Sequence, residues 1–431
     1  MHRLFARLGL GRPELRAWAL YDWANSAYIT VVITAVFPVY FQKTLATGME
    51  ASTATAHFAT GTALALAAVA LTAPLLGTLA DRYPIKKSLL AAFVLLGTTA
   101  TLLLSAPGPG DWLAGLTLFA LGNLGAYGSF VFYDALLPHV ARPDELDRVS
   151  TAGYALGYLG GGLILAGGLA VITFPQPFGL ADGNAAARAV FVAVALWWLL
   201  FTIPLLRRVP EPAIAPRAAT TANALRTGLT DLADTVRILR RYPQAGLFLL
   251  AFLVYNDGIV TVIRMATVYG AEIGLPSNAM IGAIVLVQFV GIPCAFLFGA
   301  VAGRIGTRPA LFMGLAVYLC ITVLGNRMQT AAHFYMLAAL VGLVQGGTQA
   351  LSRSLFASLI PASHSAACFS LFAVAEKAAS VAGPLVFAAA TAALGTGRAG
   401  LLAVGGFFVL GALLLFTVDV EKGRAQARAD A

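Results

Sequence analysis

The stretch Trp18-Ala19-Leu20-Tyr21-Asp22-Trp23-Ala24-Asn25-Ser26-Ala27-Tyr28 opens an apolar segment that runs to Phe41. This segment is long enough to cross a bilayer, because a membrane-spanning helix needs about 20 residues. It nevertheless carries a carboxylate, Asp22. A charged side chain inside a membrane is costly, so it usually faces the protein interior or a water-filled path. Asp22 is therefore the first candidate functional residue.

The composition of the chain indicates a polytopic membrane protein. Of the 431 residues, 59% are hydrophobic and only 11% are charged, whereas soluble domains carry about 25% charged residues. The net charge of +9 does not indicate a nucleic-acid partner, because cytoplasmic loops of membrane proteins collect Lys and Arg. The three cysteines give no disulfide framework or metal spacing. We also expect no cleaved signal peptide, since no short apolar core precedes a cleavage site.

Twelve apolar segments follow one another along the chain, and each is long enough to span a membrane with some tilt. Each must be helical, because lipid offers no partners for unpaired backbone groups. Their approximate limits are 18–41, 57–80, 88–106, 112–136, 149–174, 188–206, 244–269, 279–302, 309–325, 333–358, 365–392 and 398–418. The sequence thus predicts an all-α protein with twelve transmembrane helices.

The loop charges predict the orientation of these helices. Loops on the side of both termini hold 22 Lys and Arg residues, with Arg353 counted among them, and the opposite loops hold 4. This asymmetry predicts that both termini lie in the cytoplasm. Arg outnumbers Lys by 23 to 5, as in proteins of GC-rich bacterial genomes. We therefore expect a multi-pass protein of the inner membrane.

A central loop divides the chain into two six-helix halves. The predicted parts are an N-terminal bundle at 1–206, a cytoplasmic linker at 207–243 and a C-terminal bundle with a short tail at 244–431. Apolar residues at 225–239 recur at helical spacing among arginines. This pattern predicts an amphipathic helix on the inner membrane surface or a solvated linker helix.

The two halves are internal repeats. The segment Gly77–Lys86 aligns with Gly299–Arg308 at an offset of 222 residues, and Leu137-Pro138 aligns with Ile360-Pro361 at an offset of 223. Six-helix repeats related by an axis along the membrane normal are a transporter architecture.

Several strings resemble a known family. The segment Gly77–Lys87 resembles the loop motif between helices 2 and 3 of the major facilitator superfamily. The opening stretch resembles the branch of that superfamily that contains the autophagy-related vacuolar amino-acid effluxers and their bacterial relatives. Further strings similar to that branch are Phe132–Pro138, Ala155–Gly162, Leu196–Leu200, Gly346–Ser354, Ala375–Lys377 and Gly383-Pro384. The resemblance implies the major facilitator fold, with twelve helices in two six-helix pseudo-repeats.

The resemblance also implies a cytoplasmic latch at Gly77, Asp81, Arg82 and Lys86, with Arg304 in the second copy. Glycine allows helices to approach closely, and an acid can complement the positive N-terminus of a helix from the other half. The second copy has Gly303 in place of the acid. We therefore expect the strong latch in the first half alone. The basic residues of the motif could instead serve only to set topology.

By the same resemblance, helices 1, 4, 7 and 10 line a central cavity. The candidate residues for binding substrate or protons are Asp22, Asn25, Tyr28, Asp257, Arg264, Glu376 and Lys377. Asp22 or Asp257 could carry a coupling proton, while a fixed ion pair of Asp257 with Lys377 and a packing role for Tyr28 remain open. Glu376 and Lys377 point about 100° apart, so at most one should face the cavity.

Asp134 stands where the resemblance implies asparagine. We therefore expect no special role for its charge.

These observations predict a secondary active transporter that works by alternating access. We expect it to move a small polar solute, with an amino acid as the first candidate, a proton as the coupling ion and efflux as one of two open directions. The alternatives are transport of an organic anion or another metabolite, and a non-transporting sensor or scaffold. No phosphate-binding loop or other catalytic signature is present in the sequence, so we expect neither an enzyme nor a cofactor. We expect a monomer.

Overall fold

The computed structural model describes residues 5, 8–213, 237, 239–378 and 382–430. Most of the predicted amphipathic segment at 225–239 lies outside these residues. The helices in chain order are α1 (Pro13–Leu45), α2 (Ala51–Arg82), α3 (Lys86–Leu103), α4 (Trp112–Val140), α5 (Leu146–Thr173), α6 (Gly183–Arg208), α7 (Pro243–Glu272), α8 (Ser277–Ile305), α9 (Thr307–Gly325), α10 (Ala331–Leu359), α11 (Ser365–Ala378), α12 (Ala382–Leu394), α13 (Gly397–Thr417) and α14 (Val420–Ala429).

The prediction of twelve membrane spans is confirmed. Within the described residues, twelve helical segments are long and apolar enough to cross a membrane, with α11 and α12 together forming the eleventh. The first helix begins at Pro13, five residues before the predicted span, because proline is favoured in the first turn of a helix. Its second half is largely π-helical, over Tyr28–Val36 and Phe41–Leu45. The hydropathy of the sequence identifies only the part of each helix that lies in the membrane, so helix ends outside the membrane are not predicted from it.

The helices pack as two groups that meet along one interface. In the first group α1 packs against α5 and α6, and α3 packs against α4. In the second group α8 packs against α10, and α7 packs against α13. Contacts between the groups join α2 to α11, α5 to α8 and α10, and α4 to α11. The surfaces that could carry a transport site therefore lie between the groups.

Candidate transport site

A cavity of 1230 Å³ lies between the two groups of helices. At one end its lining includes Lys43 and Asn184, and at the other end it includes Asp22 and Arg353. We call the side of the protein where α1 begins and α10 ends the N side. On the N side beyond Arg353 the two groups of helices are in contact, through α2 with α11 and α5 with α8.

The described lining of the cavity contains as many acidic as basic side chains. Among the described lining residues the acids are Asp22, Asp134, Asp182 and Glu376, and the bases are Lys43, Arg264, Arg353 and Lys377. The formal charges of these lining residues thus cancel.

Arg353 joins the two groups at the base of the cavity. Its Nη2 lies 3.1 Å from Oδ2 of Asp22, and its Nη1 lies 3.1 Å from Oδ1 of Asp134. Arg353 belongs to α10, whereas Asp22 belongs to α1 and Asp134 to α4. Its side chain is only 4% exposed. We call these three residues the Arg353 triad.

The triad corrects two predictions from the sequence. Arg353 was assigned to a cytoplasmic loop, but it lies inside α10 and is buried. Asp134 was expected to have no special role, but its carboxylate is one of the two partners of Arg353. The signal for Arg353 was present, since residue 353 falls within the predicted tenth span. Its partners could not be found, because they lie more than 200 residues away along the chain.

The triad is held rigidly by its surroundings. Arg353 donates through Nε to Oγ of Ser150 at 2.9 Å and through Nη2 to the carbonyl of Ser150 at 3.0 Å. Tyr133 donates to Oδ2 of Asp22 at 2.8 Å. The guanidinium also lies over the rings of Trp18 and Tyr154, 4.8 and 4.6 Å from their centroids. A buried charge needs several hydrogen-bond and ion-pair partners to offset the free-energy cost of its desolvation.

The opening sequence motif is explained by this packing. Trp18 donates from its indole to the carbonyl of Tyr133 at 3.0 Å and stacks on the ring of Tyr133. Trp23 stacks on Trp197 of α6. A Cβ at Gly153 of α5 would collide with Oδ2 of Asp22. The motif thus fixes α1 against α4, α5 and α6 and directs Asp22 towards Arg353.

Glu376 and Lys377 both line the cavity, so the expectation that only one of them would do so is wrong. Nζ of Lys377 lies 3.1 Å from Oε1 of Glu376 and 3.9 Å from the centroid of the Tyr127 ring. The long lysine side chain can reach back to its neighbour, and the angle between adjacent Cβ atoms does not prevent this. Among the residues that the structure describes, no ion pair joins Lys377 to Asp257.

Arg264 and Asp257 differ in their exposure to the cavity. Arg264 lines the cavity and is exposed, as predicted. Asp257 is only 2% exposed, and it does not belong to the described lining. Both of its carboxylate oxygens accept a hydrogen bond from the backbone N–H of Gly383, at 2.9 Å in each case. Asp257 therefore fixes α7 to α12, and the prediction that it faces the pathway is wrong.

We expect Asp257→Ala to lower the free energy of unfolding and to leave any proton-linked flux in place. The substitution leaves the backbone N–H of Gly383 without this acceptor, which costs about 1–3 kcal/mol. The measurement is thermal unfolding of the purified protein in detergent. Asp257→Asn is the matched control, because its amide oxygen can still accept this hydrogen bond. Loss of proton-linked flux in folded Asp257→Asn would instead make Asp257 a coupling residue.

Among the remaining predicted residues, Asn25 lines the cavity and Tyr28 does not belong to its described lining. Tyr28 is fully buried, donates to the carbonyl of Phe119 and packs on Trp198. Tyr28 is therefore a packing residue, which is the alternative that the sequence analysis left open for it. Asn256 of α7 also lines the cavity. The amide nitrogens of Asn25 and Asn256 are buried and have no hydrogen-bond partner within the described residues.

The predicted latch region joins the two groups on the N side. Asp81 at the end of α2 accepts from the backbone nitrogens of Ala366 and Ala367 at 3.1 and 2.8 Å. These nitrogens belong to the first turn of α11, where the helix dipole favours a negative charge. Nζ of the buried Lys86 lies 2.9 Å from Asp81. A Cβ at Gly77 would lie 2.7 Å from the carbonyl oxygen of Ala366.

The other two predicted latch residues differ from Asp81 and Lys86 in their burial. Arg82 and Arg304 are both exposed, at the ends of α2 and α8. Asp147, which the sequence did not single out, makes further contacts across the interface. It accepts from Thr307 at 2.6 Å and from Ser354 at 2.5 Å. A second unpredicted residue, Glu211, accepts from the backbone nitrogens of Lys86 and Lys87 at 2.7 and 2.9 Å.

A comparison with known families identifies the family of this chain. The family described as "Vacuole effluxer Atg22 like" matches residues 11–428. The chain belongs to this Atg22-like family. The resemblance read from the opening motif and the distributed strings is thereby confirmed.

Relatives from bacteria and fungi match most of the chain. The MFS-type transporter YxiO of Bacillus subtilis (strain 168) is 34% identical over 407 residues, which are 94% of each chain. Autophagy-related protein 22-1 of Penicillium rubens is 25% identical over an alignment that covers 81% of this chain and 72% of the fungal protein. The Bacillus relative is described as an MFS-type transporter, and the family description names a vacuole effluxer. This Atg22-like protein is a major facilitator-type transporter.

Solved structures confirm the major facilitator fold. The human organic anion transporter MFSD10 (TETRAN) aligns with a TM-score of 0.73 and 16% identity, over 94% of this chain and 99% of MFSD10. The proton:xylose symporter XylE aligns with a TM-score of 0.69 and 15% identity, over 97% and 98% of the two chains. Identities this low establish the fold alone.

Proposed function

We propose that this Atg22-like protein is a proton-linked secondary transporter of small zwitterionic solutes, with amino acids as the first candidates. The observation that carries the proposal is the charge-balanced cavity between the two groups of helices. A zwitterion needs a cation and an anion as partners, and a cavity with four of each offers both. An anion-selective cavity would be expected to carry an excess of positive charge.

The polar groups of the cavity fit a solute with a carboxylate. The buried amide nitrogens of Asn25 and Asn256 can donate to carboxylate oxygens, because neither has a partner in the described part of the chain. They come from α1 and α7, which lie in different halves of the repeat. A solute held by both amides would therefore contact both groups of helices, as alternating access requires.

The arrangement of contacts supports alternating access. The groups meet on the N side through Asp81, Asp147 and the Arg353 triad, while the cavity extends towards Lys43 on the far side. Transport would then proceed by rocking of the groups about the cavity. The loop charges assign the N side to the cytoplasm. We propose that the protein lies in the inner membrane of a bacterium, with both termini cytoplasmic and with the structure closed towards the cytoplasm.

The test is solute flux in proteoliposomes of the purified protein. A pool of labelled amino acids is offered with and without an imposed pH gradient, and we expect flux that depends on the gradient. We expect Asp22→Asn to abolish the gradient-dependent part, because Asp22 is a cavity-lining acid that pairs with Arg353. Glu421→Gln is the matched control, since Glu421 is an exposed acid on α14.

Each outcome of this experiment bears on the proposal. Gradient-dependent flux of an amino acid that is lost in Asp22→Asn supports it. Flux of organic anions in place of amino acids would overturn the assigned solute class. Absence of flux for every solute, with a folded protein, would favour a non-transporting role.

A further inference from the structure

We propose that Asp22 and Asp134 form one shared proton site, and that Arg353 transmits its occupancy to the contact between the two groups of helices. This inference rests on the proposed function, because it names the residues that would couple a proton to the rocking motion. It concerns Asp134 and Arg353, neither of which the sequence pattern singled out for this role.

The first argument is the charge of the triad. Two carboxylates share a single guanidinium, at 3.1 Å in each case. With both acids ionised, the triad has a net charge of −1 in a buried position. Two carboxylates that share a site resist simultaneous ionisation, so one of them tends to retain a proton. Uptake of one proton makes the triad neutral.

The second argument is access. The side chains of Asp22 and Asp134 are 13% and 18% exposed, and both residues line the cavity. Water in the cavity can therefore bring a proton to either acid. The side chain of Arg353 is only 4% exposed and donates hydrogen bonds to Oγ and the carbonyl oxygen of Ser150. The acids can thus exchange protons with the cavity while the arginine stays in place.

Among the described residues, the titratable groups that interact with the triad include two tyrosines and Glu376. Tyr133 of α4 donates to Asp22, and Tyr154 of α5 lies under the guanidinium. From α11, Glu376 adds a further negative charge near Asp134. Lys377 of the same helix is paired with Glu376. The surroundings therefore leave the triad with an excess of negative charge that one proton can remove.

The third argument is the position of the triad across the interface. Both acids belong to the N-terminal group of helices and Arg353 belongs to the C-terminal group. Protonation of one acid removes one of the two ion pairs that join the groups at this level. Arg353 is then attracted to the N-terminal group by one ionised carboxylate in place of two, so the electrostatic attraction across the interface is weaker. A proton taken up from the cavity would thus weaken closure of the N side and favour rocking to the opposite state.

The test measures the opening of the N side without any solute. Spin labels are placed at residues 144 and 304, which are exposed on the N side in different groups, in a background with the three native cysteines replaced. Double electron–electron resonance in liposomes then gives the distance distribution as a function of pH. In the wild-type background we expect a longer distance to gain population as the pH falls.

Asp22→Asn and Asp134→Asn are the decisive variants. Each leaves one carboxylate on Arg353, as protonation would. We expect both variants to lose the pH dependence and to show, at every pH, the distribution that the wild-type background shows at low pH. Two variants are used so that a folding defect in one does not decide the result.

Glu272→Gln is the matched control. Glu272 is an acid that caps α13 through the backbone nitrogen of Gly397 at 2.9 Å and lies outside the described cavity lining. Its substitution should leave the pH dependence unchanged.

The outcomes separate this inference from the proposed function. Retention of the pH-dependent shift in either folded asparagine variant, or its absence in the wild-type background, would overturn the shared site whatever solute is transported. A pH-dependent shift that both variants lose, together with no amino-acid flux, would support the shared site and reject only the assigned solute.

Discussion

Replacement of Arg353 by glutamine is expected to abolish transport and to lower the free energy of unfolding by about 3–5 kcal/mol. The substitution leaves Asp22 and Asp134 buried at the base of the cavity without their shared cation. Glutamine offers no positive charge and cannot reach both acids and Ser150 at once. Flux in proteoliposomes and thermal unfolding in detergent measure the two effects.

The loss of stability in Arg353→Gln should depend on pH in a defined direction. The two acids can take up protons at low pH, which removes the unpaired charges, so the variant should be least stable relative to wild type at neutral pH. The triple variant Asp22→Asn, Asp134→Asn, Arg353→Gln is the matched control, because it removes the charges together and should recover most of the stability. It should still lack proton-linked flux. A stable single variant with normal flux would show that the triad is not needed for closure.

Replacement of Asp81 by alanine is expected to weaken closure of the N side by a similar amount. Asp81 accepts two backbone hydrogen bonds from the first turn of α11 and pairs with Lys86, whose side chain is only 2% exposed. Alanine leaves that ammonium buried without its acid, which costs about 3–5 kcal/mol. We expect the long-distance population between labels at residues 144 and 304 to rise at neutral pH.

Arg82→Gln is the control for Asp81→Ala. Arg82 is the next residue on the same helix and is exposed, so its ion-pair contribution should be about 0–1 kcal/mol. We expect little change in the distance distribution. Equal effects of the two substitutions would show that the whole basic motif maintains closure and that Asp81 is not its main residue. This comparison also decides between the latch and topology interpretations of Arg82.

Many features of this protein could be predicted from local sequence. Twelve spans follow from hydropathy, because each must hide about 20 residues of backbone in a helix. The contact of Asp81 with another helix followed from the position of an acid at a helix end. Asp22 and Arg264 were found because a charge within an apolar span stands out against its neighbours.

The errors concern charges whose environment is set by distant residues. Arg353 lies near the end of the predicted tenth span and was counted as a loop cation, although its position within the span was a signal that it could be buried. Asp257 and Asp22 look alike in sequence, since each is a single acid in a membrane helix. In the structure, Asp257 accepts a hydrogen bond from the backbone N–H of Gly383, whereas Asp22 forms an ion pair with Arg353 from another helix. Asp134 was set aside because the family resemblance implies asparagine at this position, and its partner Arg353 is remote in the chain.

The sequence by itself determined the number of spans, the repeat and the family, because hydrophobic length and short motifs are local properties. Only the tertiary structure decided which charges meet. Asp22, Asp134 and Arg353 come from three helices and are separated by up to 331 residues. Their pairing depends on the close approach of α1 to α5 at Gly153 and on contact between the two groups of helices. Coulomb energy and desolvation depend on distances of a few ångströms, and those distances are fixed by packing.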